Sequence, residues 1–292
     1  ASRGLGDVYK RQDLSWNVDV KVDSLLLVWQ GGSETGNAIA DILSGEVSPS
    51  GHLTDTIAYS LKDYPAYDNF GDKDRNFYAE DIYVGYRYFE TFNKAAVQYP
   101  FGYGLSYSDF EFKLNSAEYA NGSLNIQVNV KNTGDFSAKA VPQIYLGAPQ
   151  GELGKAAKVL LDFAKTETLA PGESEELKFS ISNYEMASFD DSGKTGHKNA
   201  YVLEAGQYRI YLGEDVRHSQ EVFAFDLEKL EVVEQLEEVL APVHHFSRLK
   251  PGEFEEDNFS ITYEDVPTKT IAEKYFAEKE DEKLSVEFED NS

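Results

Sequence analysis

The sequence predicts two domains of different class, an α/β domain first and an all-β sandwich after it. Near the N-terminus, a continuous apolar run at residues 24–29 is followed by a glycine-rich loop and by helical spacing over residues 37–44. Beyond Tyr107 the pattern changes to short segments in which polar and apolar residues alternate, separated by turns. We therefore expect residues 13–107 to form part of an α/β sandwich and residues 108–228 to form a β-sandwich.

Length and charge restrict the functions that this chain can serve. Its 292 residues are enough for two domains of common size, and no run approaches the roughly 18 apolar residues of a membrane span. The formal net charge of −25 argues against nucleic acid and anionic membranes as partners, because both require basic patches. A neutral ligand such as a sugar suits this charge better. The absence of cysteine excludes a disulfide scaffold and fits a reducing, cytoplasmic location.

The two ends of the chain are expected to lie outside the packed domains. Residues 1–12 lack the apolar core of a secretory signal peptide and look like foreign sequence. Residues 229–292 are expected to form an acidic linker and tail, since fourteen acids oppose four lysines beyond Pro251. Within this part, apolar residues at mixed three- and four-residue spacing predict a helix over residues 227–240.

The chemistry of the sequence is concentrated in residues 77–89, which hold six aromatic rings, two carboxylates and one arginine. From Ile82 onward the side chains alternate in a way that predicts an extended strand with aromatic residues on both faces. Glu80 and Asp81 stand where the polar lead-in becomes apolar, so at least one carboxyl starts beside ring faces. Aromatic walls exclude water and raise the pKa of a carboxyl, which allows proton donation at neutral pH. The alternative is an aromatic strand edge with two solvated acids.

Two motifs relate this segment to a known family. Residues 78–89 read Tyr-Ala-Glu-Asp-Ile-Tyr-Val-Gly-Tyr-Arg-Tyr-Phe, and residues 99–107 read Tyr-Pro-Phe-Gly-Tyr-Gly-Leu-Ser-Tyr. In this order they closely resemble the C-terminal sandwich domain of glycoside hydrolase family 3, the β-glucosidase family. The resemblance implies that Glu80 is the general acid/base and that Arg87 supports it, with a β-glucoside or oligosaccharide as substrate. Asp81 is the rival carboxylate, but the family pattern varies at its position. No cofactor or metal is expected.

The glycine-rich loop at residues 31–36 has two interpretations. Glu34 lies inside the loop and no lysine follows it, which argues against nucleotide or dinucleotide binding. The family resemblance places a similar Gly-Gly-x-Glu-x-Gly-Asn loop close to the sugar site, which makes Glu34 a candidate substrate-binding residue. The plainer alternative is a tight turn between a strand and a helix.

The later strands resemble the fibronectin type III-like domain that accompanies many family 3 enzymes. The matching pieces are residues 130–134, 161–166, 169–173 and 202–206. The resemblance implies an immunoglobulin/fibronectin III-like sandwich. Such a domain either binds carbohydrate through exposed aromatic residues or braces its neighbour, and we favour bracing.

The resemblance also implies a partner domain that this sequence does not contain. Family 3 enzymes carry their nucleophile, an aspartate, on a (β/α)₈ barrel, which needs about 250 residues of its own. Residues 240–242 and 249–251 resemble the linker of members in which the barrel follows the fibronectin-like domain. We therefore expect the chain to be the acid/base-bearing part of a larger enzyme and to be inactive alone. A non-catalytic carbohydrate-binding or adhesion module is the alternative.

Residues 108–228, excised from the chain, are predicted to fold as an independent β-sandwich, because their period-two alternation contains no apolar pattern of helical length. Far-ultraviolet circular dichroism of this segment should show dominant β-structure. A spectrum dominated by helix would contradict the prediction.

Overall fold

The structure is a computed structural model that describes residues 23–71 and 73–269. The supposed foreign sequence at residues 1–12 and the end of the predicted tail, residues 270–292, lie outside the described residues. Across the two described ranges, no helix combines the length and the apolar content that crossing a membrane requires.

Strands dominate the described part of the chain. The strands are β1 (Ile57–Ala58), β2 (Val97–Tyr99), β3 (Phe110–Ala120), β4 (Ser123–Asn132), β5 (Gln143–Gly147), β6 (Val159–Phe163), β7 (Ser174–Ser182), β8 (Ser188–Asp190), β9 (Ala200–Leu203), β10 (Gly206–Gly213), β11 (Ser219–Leu227), β12 (Glu231–Gln235), β13 (Ser247–Glu255) and β14 (Asn258–Asp265). The helices are α1 (Thr35–Ser44), α2 (Tyr86–Phe92) and α3 (Asn183–Met186), with 3₁₀ turns at Leu61–Asp63 and Lys94–Ala96.

The predicted sandwich is present, built from antiparallel sheets that face one core. One sheet has the order β3-β4-β7, a second β11-β10-β5-β6, and a third β12-β9-β8. The alternation of β4 explains its position, because Leu124, Ile126, Val128 and Val130 are buried while the residues between them are polar. They pack against Ile210 and other apolar residues of the second sheet. The strand pattern read from the sequence is confirmed here.

The first part of the chain differs from prediction at its supposed strand. Residues 24–29 form no strand, and their large side chains Leu25, Leu26, Val28 and Trp29 are between 39% and 41% exposed. A buried parallel strand requires neighbouring strands and covered faces, and the described residues contain no strand paired with this run. The helix prediction is confirmed by α1, which ends at Gly45 in the left-handed conformation with φ 81°.

The predicted strand at residues 82–89 is wrong. Gly85 has φ 56°, and helix α2 begins directly after it. Three aromatic side chains of α2, Tyr88, Phe89 and Phe92, are at most 8% exposed. Positions three and four apart lie on one helix face, so a helix buries these rings together where a strand would divide them between two faces. Burial of the rings therefore overrides their preference for strands.

The helix predicted for residues 227–240 is also wrong. Residues 231–235 form β12, which pairs antiparallel with β9 of the sandwich. Val233 packs on the sandwich core while Val232 is 42% exposed, which is the alternation of an edge strand. This strand lies in the range that the composition assigns to the acidic linker.

The predicted acidic tail contains a hairpin. Strands β13 and β14 pair antiparallel, and β14 packs on α2. Leu249 of β13 is only 7% exposed and joins the aromatic core around Phe89. Acids are concentrated at the hairpin turn, at residues 253, 255, 256 and 257, where they are exposed to solvent. Because of these acids, the composition of the segment gives no indication of its buried side chains.

Polar contacts join the sandwich to the first part of the chain. The Tyr86 hydroxyl accepts a hydrogen bond from the Leu160 backbone N–H at 2.9 Å. Arg217 of the sandwich donates to the buried Glu90 carboxylate of α2, also at 2.9 Å. These contacts fit a sandwich that braces its neighbour.

Candidate active site

Glu80 lies in a turn within residues 78–83, a few residues before α2 begins at Tyr86. Its backbone carbonyl accepts the Tyr83 N–H at 2.9 Å, and the Tyr78 carbonyl accepts the Asp81 N–H at 3.0 Å. The Glu80 side chain is half-buried. Within residues 23–71 and 73–269, no side chain or backbone group donates a hydrogen bond to its carboxylate. The carboxylate is therefore not engaged by the part of the chain that the structure describes.

Asp81 occupies a different environment from Glu80. Its backbone has φ 51°, the left-handed region that Asp tolerates better than most residues. Its Oδ2 atom is 3.4 Å from Nη1 of Arg248. Burial raises the pKa of the Asp81 carboxyl, and the Arg248 guanidinium opposes this rise without cancelling it. Asp81 is thus a carboxyl committed to an ion pair.

Arg248 is the centre of an ionic network that connects three segments of the chain. Its Nη1 and Nη2 atoms donate to both oxygens of Asp191, at 2.6 and 2.9 Å, which is a bidentate pair. Its Nε and Nη2 atoms donate to Oε1 of Glu264, at 3.0 and 2.9 Å. Burial lowers the pKa of the guanidinium, but the carboxylates around it outweigh burial and raise it further above its ordinary value. The network therefore stays charged.

A cleft of about 410 Å³ lies between residues 81–83, the sandwich and the hairpin, and Glu80 itself is not among the residues that line it. Its walls include Asp81 and Arg87 from the first part, Tyr201 and Phe189 from the sandwich, and Arg248 from β13.

The structure places the predicted supporting residue Arg87 on this cleft. Its guanidinium carbon is 5.9 Å from the centroid of the Tyr86 ring. In the described ranges no ion pair links Arg87 to Glu80.

Glu34 lies immediately before helix α1 and is exposed. Its Oε2 atom accepts a hydrogen bond from the Asn37 side chain at 2.6 Å. A carboxylate at this position also interacts favourably with the positive end of the helix dipole. The contacts of Glu34 among the described residues are therefore local to the start of α1, and its predicted role in binding substrate stays a prediction.

Metal binding has no geometric support in the part of the chain that the structure describes. No group of three or more His, Asp or Glu side chains there is arranged to hold an ion. His244 and His245 are exposed.

Sequence reasoning missed Arg248 and Leu249. Residues 247–249 change from exposed to half-buried to buried. The acidic composition around them concealed this strand in the sequence. The sequence signal for a docked strand here is the apolar Leu249 with the polar residues Arg248 and Lys250 on either side of it.

Comparison with known proteins agrees with these motifs. Residues 8–107 match the Glycosyl hydrolase family 3 C-terminal domain, and residues 140–216 match the Fibronectin type III-like domain. The fold and the turn that carries Glu80 therefore define a glycoside hydrolase C-terminal α/β domain with an attached fibronectin type III-like sandwich. The chain belongs to glycoside hydrolase family 3. The predicted family and fold class are confirmed.

The relatives are longer than this chain. A β-glucosidase of Ruminococcus albus is 47% identical over 262 residues, which are 89% of this chain and 27% of the relative. β-Glucosidase A of Butyrivibrio fibrisolvens is 43% identical over 265 residues, 84% of this chain and 32% of the relative. A solved β-glucosidase structure from Paenibacillus barengoltzii is 49% identical with a TM-score of 0.87, over 90% of this chain and 30% of that one. The chain thus spans between 27% and 32% of these proteins.

The hairpin is predicted to lose stability in acid through Glu264. Burial raises the pKa of this carboxyl, but Lys194, Arg248 and Lys250 outweigh burial and hold it below its ordinary value of 4.5. Its ion pairs therefore contribute stability above pH 4.5, and this contribution is lost as the pH falls through the lowered pKa. Amide exchange protection of β13 and β14 in the full chain should fall over that range.

The Glu264→Gln variant should show reduced protection already at pH 6 and a flatter dependence on pH. The matched control is Glu167→Gln, which removes an exposed pair with Lys139 and should leave the profile unchanged. Equal pH profiles for Glu264→Gln and the unmodified chain would contradict the assignment.

Proposed function

We propose that this chain is the acid/base-bearing part of a retaining exo-β-glucosidase, with Glu80 as the general acid/base. The observation that carries the proposal is that no described residue donates a hydrogen bond to the Glu80 carboxylate. In sequence, Glu80 follows Tyr-Ala and precedes Asp-Ile-Tyr-Val-Gly-Tyr-Arg. The names of the relatives support the substrate class, since they are β-glucosidases. The chain covers less than a third of their length, so activity and substrate belong to this proposal.

In the proposed mechanism, Glu80 acts twice. It first protonates the glycosidic oxygen while a nucleophile attacks the sugar, and it then accepts a proton from the water that hydrolyses the glycosyl-enzyme. A retaining site needs its two carboxyls about 5–5.5 Å apart. The nucleophile would come from a (β/α)₈ barrel elsewhere in the enzyme.

The surface around Glu80 is suited to a neighbouring domain. Tyr78, Ile82 and Val84 flank the turn and are 69%, 44% and 59% exposed. Three exposed large apolar side chains within seven residues of sequence are consistent with a surface that another part of the protein covers. A barrel packed on this face would close the site from water and bring the nucleophile to the sugar.

The second candidate function is non-catalytic carbohydrate binding by the sandwich. Tyr184 and Phe189 are 49% and 42% exposed, and their rings lie 4.8 and 5.1 Å from the ring of Tyr201. Exposed aromatic rings of this kind stack on sugars. Calorimetric binding of β-glucans by the chain, abolished by Tyr184→Ala, would favour this function.

Glu80→Ala in the full-length enzyme is predicted to slow glycosylation most for substrates with poor leaving groups. Activated aryl glucosides need little acid assistance, so their loss should be smaller, with a difference of about 10²-fold or more between the two substrate types. Azide should partly restore turnover, because it attacks the glycosyl-enzyme without a base. Equal losses on both substrates, without an azide response, would mean that Glu80 is not the acid/base.

The present chain alone is predicted to hydrolyse no β-glucoside above background. Asp81 is the carboxyl nearest to Glu80 in sequence, and it is held by Arg248. The contacts that orient glucose would also be absent, and with them the advantage of an aligned substrate. The measurement is aryl β-glucoside turnover, with Glu80→Gln as the control. Robust turnover that this control abolishes would show a nucleophile within these 292 residues.

A further inference from the structure

Strand β13 contacts the residues on both sides of Glu80. The Leu249 backbone N–H donates to the Ala79 carbonyl at 2.8 Å. Arg248, the preceding residue of the same strand, pairs with the Asp81 carboxylate at 3.4 Å. Two consecutive residues of the hairpin therefore hold the residue before Glu80 and the residue after it.

The guanidinium of Arg248 has a fixed orientation. The Arg248 side chain is only 13% exposed, and the bidentate pair with Asp191 anchors it to the sandwich. Glu264 of β14 accepts from the same guanidinium on another edge. A planar group held on two sides offers Asp81 a rigid partner, which a flexible lysine would not.

The hairpin has anchors that do not involve Asp81. Leu249 is buried in the core beneath α2, and Phe259 packs against the same core. The Lys94 backbone N–H donates to the Asn258 side chain at 3.2 Å. Loss of the ion pair between Arg248 and Asp81 should therefore leave the hairpin docked. An effect on the Glu80 turn can then be distinguished from an effect on folding.

We propose that Arg248 is a positioning residue for the acid/base, which acts through Asp81 to hold the turn that directs the Glu80 carboxyl toward the glycosidic oxygen. This inference rests on the proposed role of Glu80. Asp81 has φ 51°, a backbone conformation that Asp adopts more readily than most residues but still infrequently, so contacts help to hold it. The ion pair with Arg248 supplies such a contact directly next to Glu80. Displacement of a catalytic group by about 1 Å is enough to cost about 10²-fold in rate.

The first test is Arg248→Met in the full-length enzyme that contains this segment. We expect turnover of an alkyl β-glucoside to fall by about 10–100-fold, and turnover of a dinitrophenyl β-glucoside to fall much less, because only the first needs a well-placed acid. Competitive inhibition by glucose should be unchanged, since Arg248 acts on the acid and not on the bound sugar. Arg248→Lys should give an intermediate loss, because it keeps the charge without the bidentate geometry.

The matched control is Lys194→Met. Lys194 contacts Glu264 in the same network, but it has no contact with Asp81 among the described residues. We expect this variant to keep the ratio of alkyl to dinitrophenyl glucoside turnover of the unmodified enzyme. An equal change of that ratio in Lys194→Met and Arg248→Met would overturn the inference, because the effect would then belong to the hairpin as a whole.

A double-mutant cycle tests whether Arg248 acts through Asp81. Asp81→Asn keeps a side chain that tolerates positive φ but removes the charge. If the two residues act as one unit, the double variant Arg248→Met/Asp81→Asn loses no more than Arg248→Met alone. Losses that multiply would overturn the inference. Should Arg248→Met fail to fold, Asp81→Asn alone decides: a selective loss on the alkyl glucoside supports the inference, and an unchanged ratio overturns it.

The failure of this inference is distinguishable from failure of the proposed function. Glu80→Gln, assayed in parallel, reports on the role of Glu80 itself. A selective loss in Glu80→Gln with an unchanged ratio in Arg248→Met leaves Glu80 as acid/base and removes Arg248 from its positioning. Equal losses of turnover on both substrates in Glu80→Gln would reject the acid/base assignment of Glu80. The inference about Arg248 would then be rejected as well.

Discussion

Burial of the aromatic face of α2 is the constraint on which the rest of the structure depends. Phe89 is completely buried and its ring lies 5.1 Å from that of Tyr64. Two segments distant in sequence complete this core, since Leu249 comes from the hairpin and Ala156 from the sandwich. Each large apolar side chain removed from water stabilises the fold by about 1.5–3 kcal/mol. The turn that carries Glu80 lies a few residues before this helix, so its position follows from the packing beneath α2.

The features that the sequence predicts correctly are those whose cause is local. Strand β4 shows strict alternation because one face of its sheet is buried and the other faces solvent. Residues 82–89 mislead for a related reason, since Tyr86 and Tyr88 fit a period of two while Tyr88 and Phe92 fit a helix face. The choice between these periods depends on the core that α2 meets, and Leu249 of that core lies far along the chain. A local pattern cannot contain this information.

The same distinction applies to the candidate site. Glu80 is predictable because its motif is continuous in sequence. Arg248 is not, because its significance arises only when β13 lies beside the Glu80 turn and brings the guanidinium within 3.4 Å of Asp81. The pairing of β13 with β14 and the burial of Leu249 create that proximity. The part of the site that depends on tertiary contacts therefore becomes visible only in the structure.

The raised pKa of Asp81 marks it as a candidate acid under the general rule that perturbed carboxyls indicate catalytic groups. Geometry assigns it another role. Its carboxylate is paired with Arg248, which also donates to two further carboxylates, those of Asp191 and Glu264. A carboxyl held in such a network contributes a fixed charge and a fixed backbone, and a proton transferred from it would disturb the arrangement that orients its neighbour. Glu80, with a carboxylate that no described residue engages, has no such commitment. The two adjacent acids are therefore suited to a division of roles in which Asp81 anchors the turn and Glu80 meets the substrate.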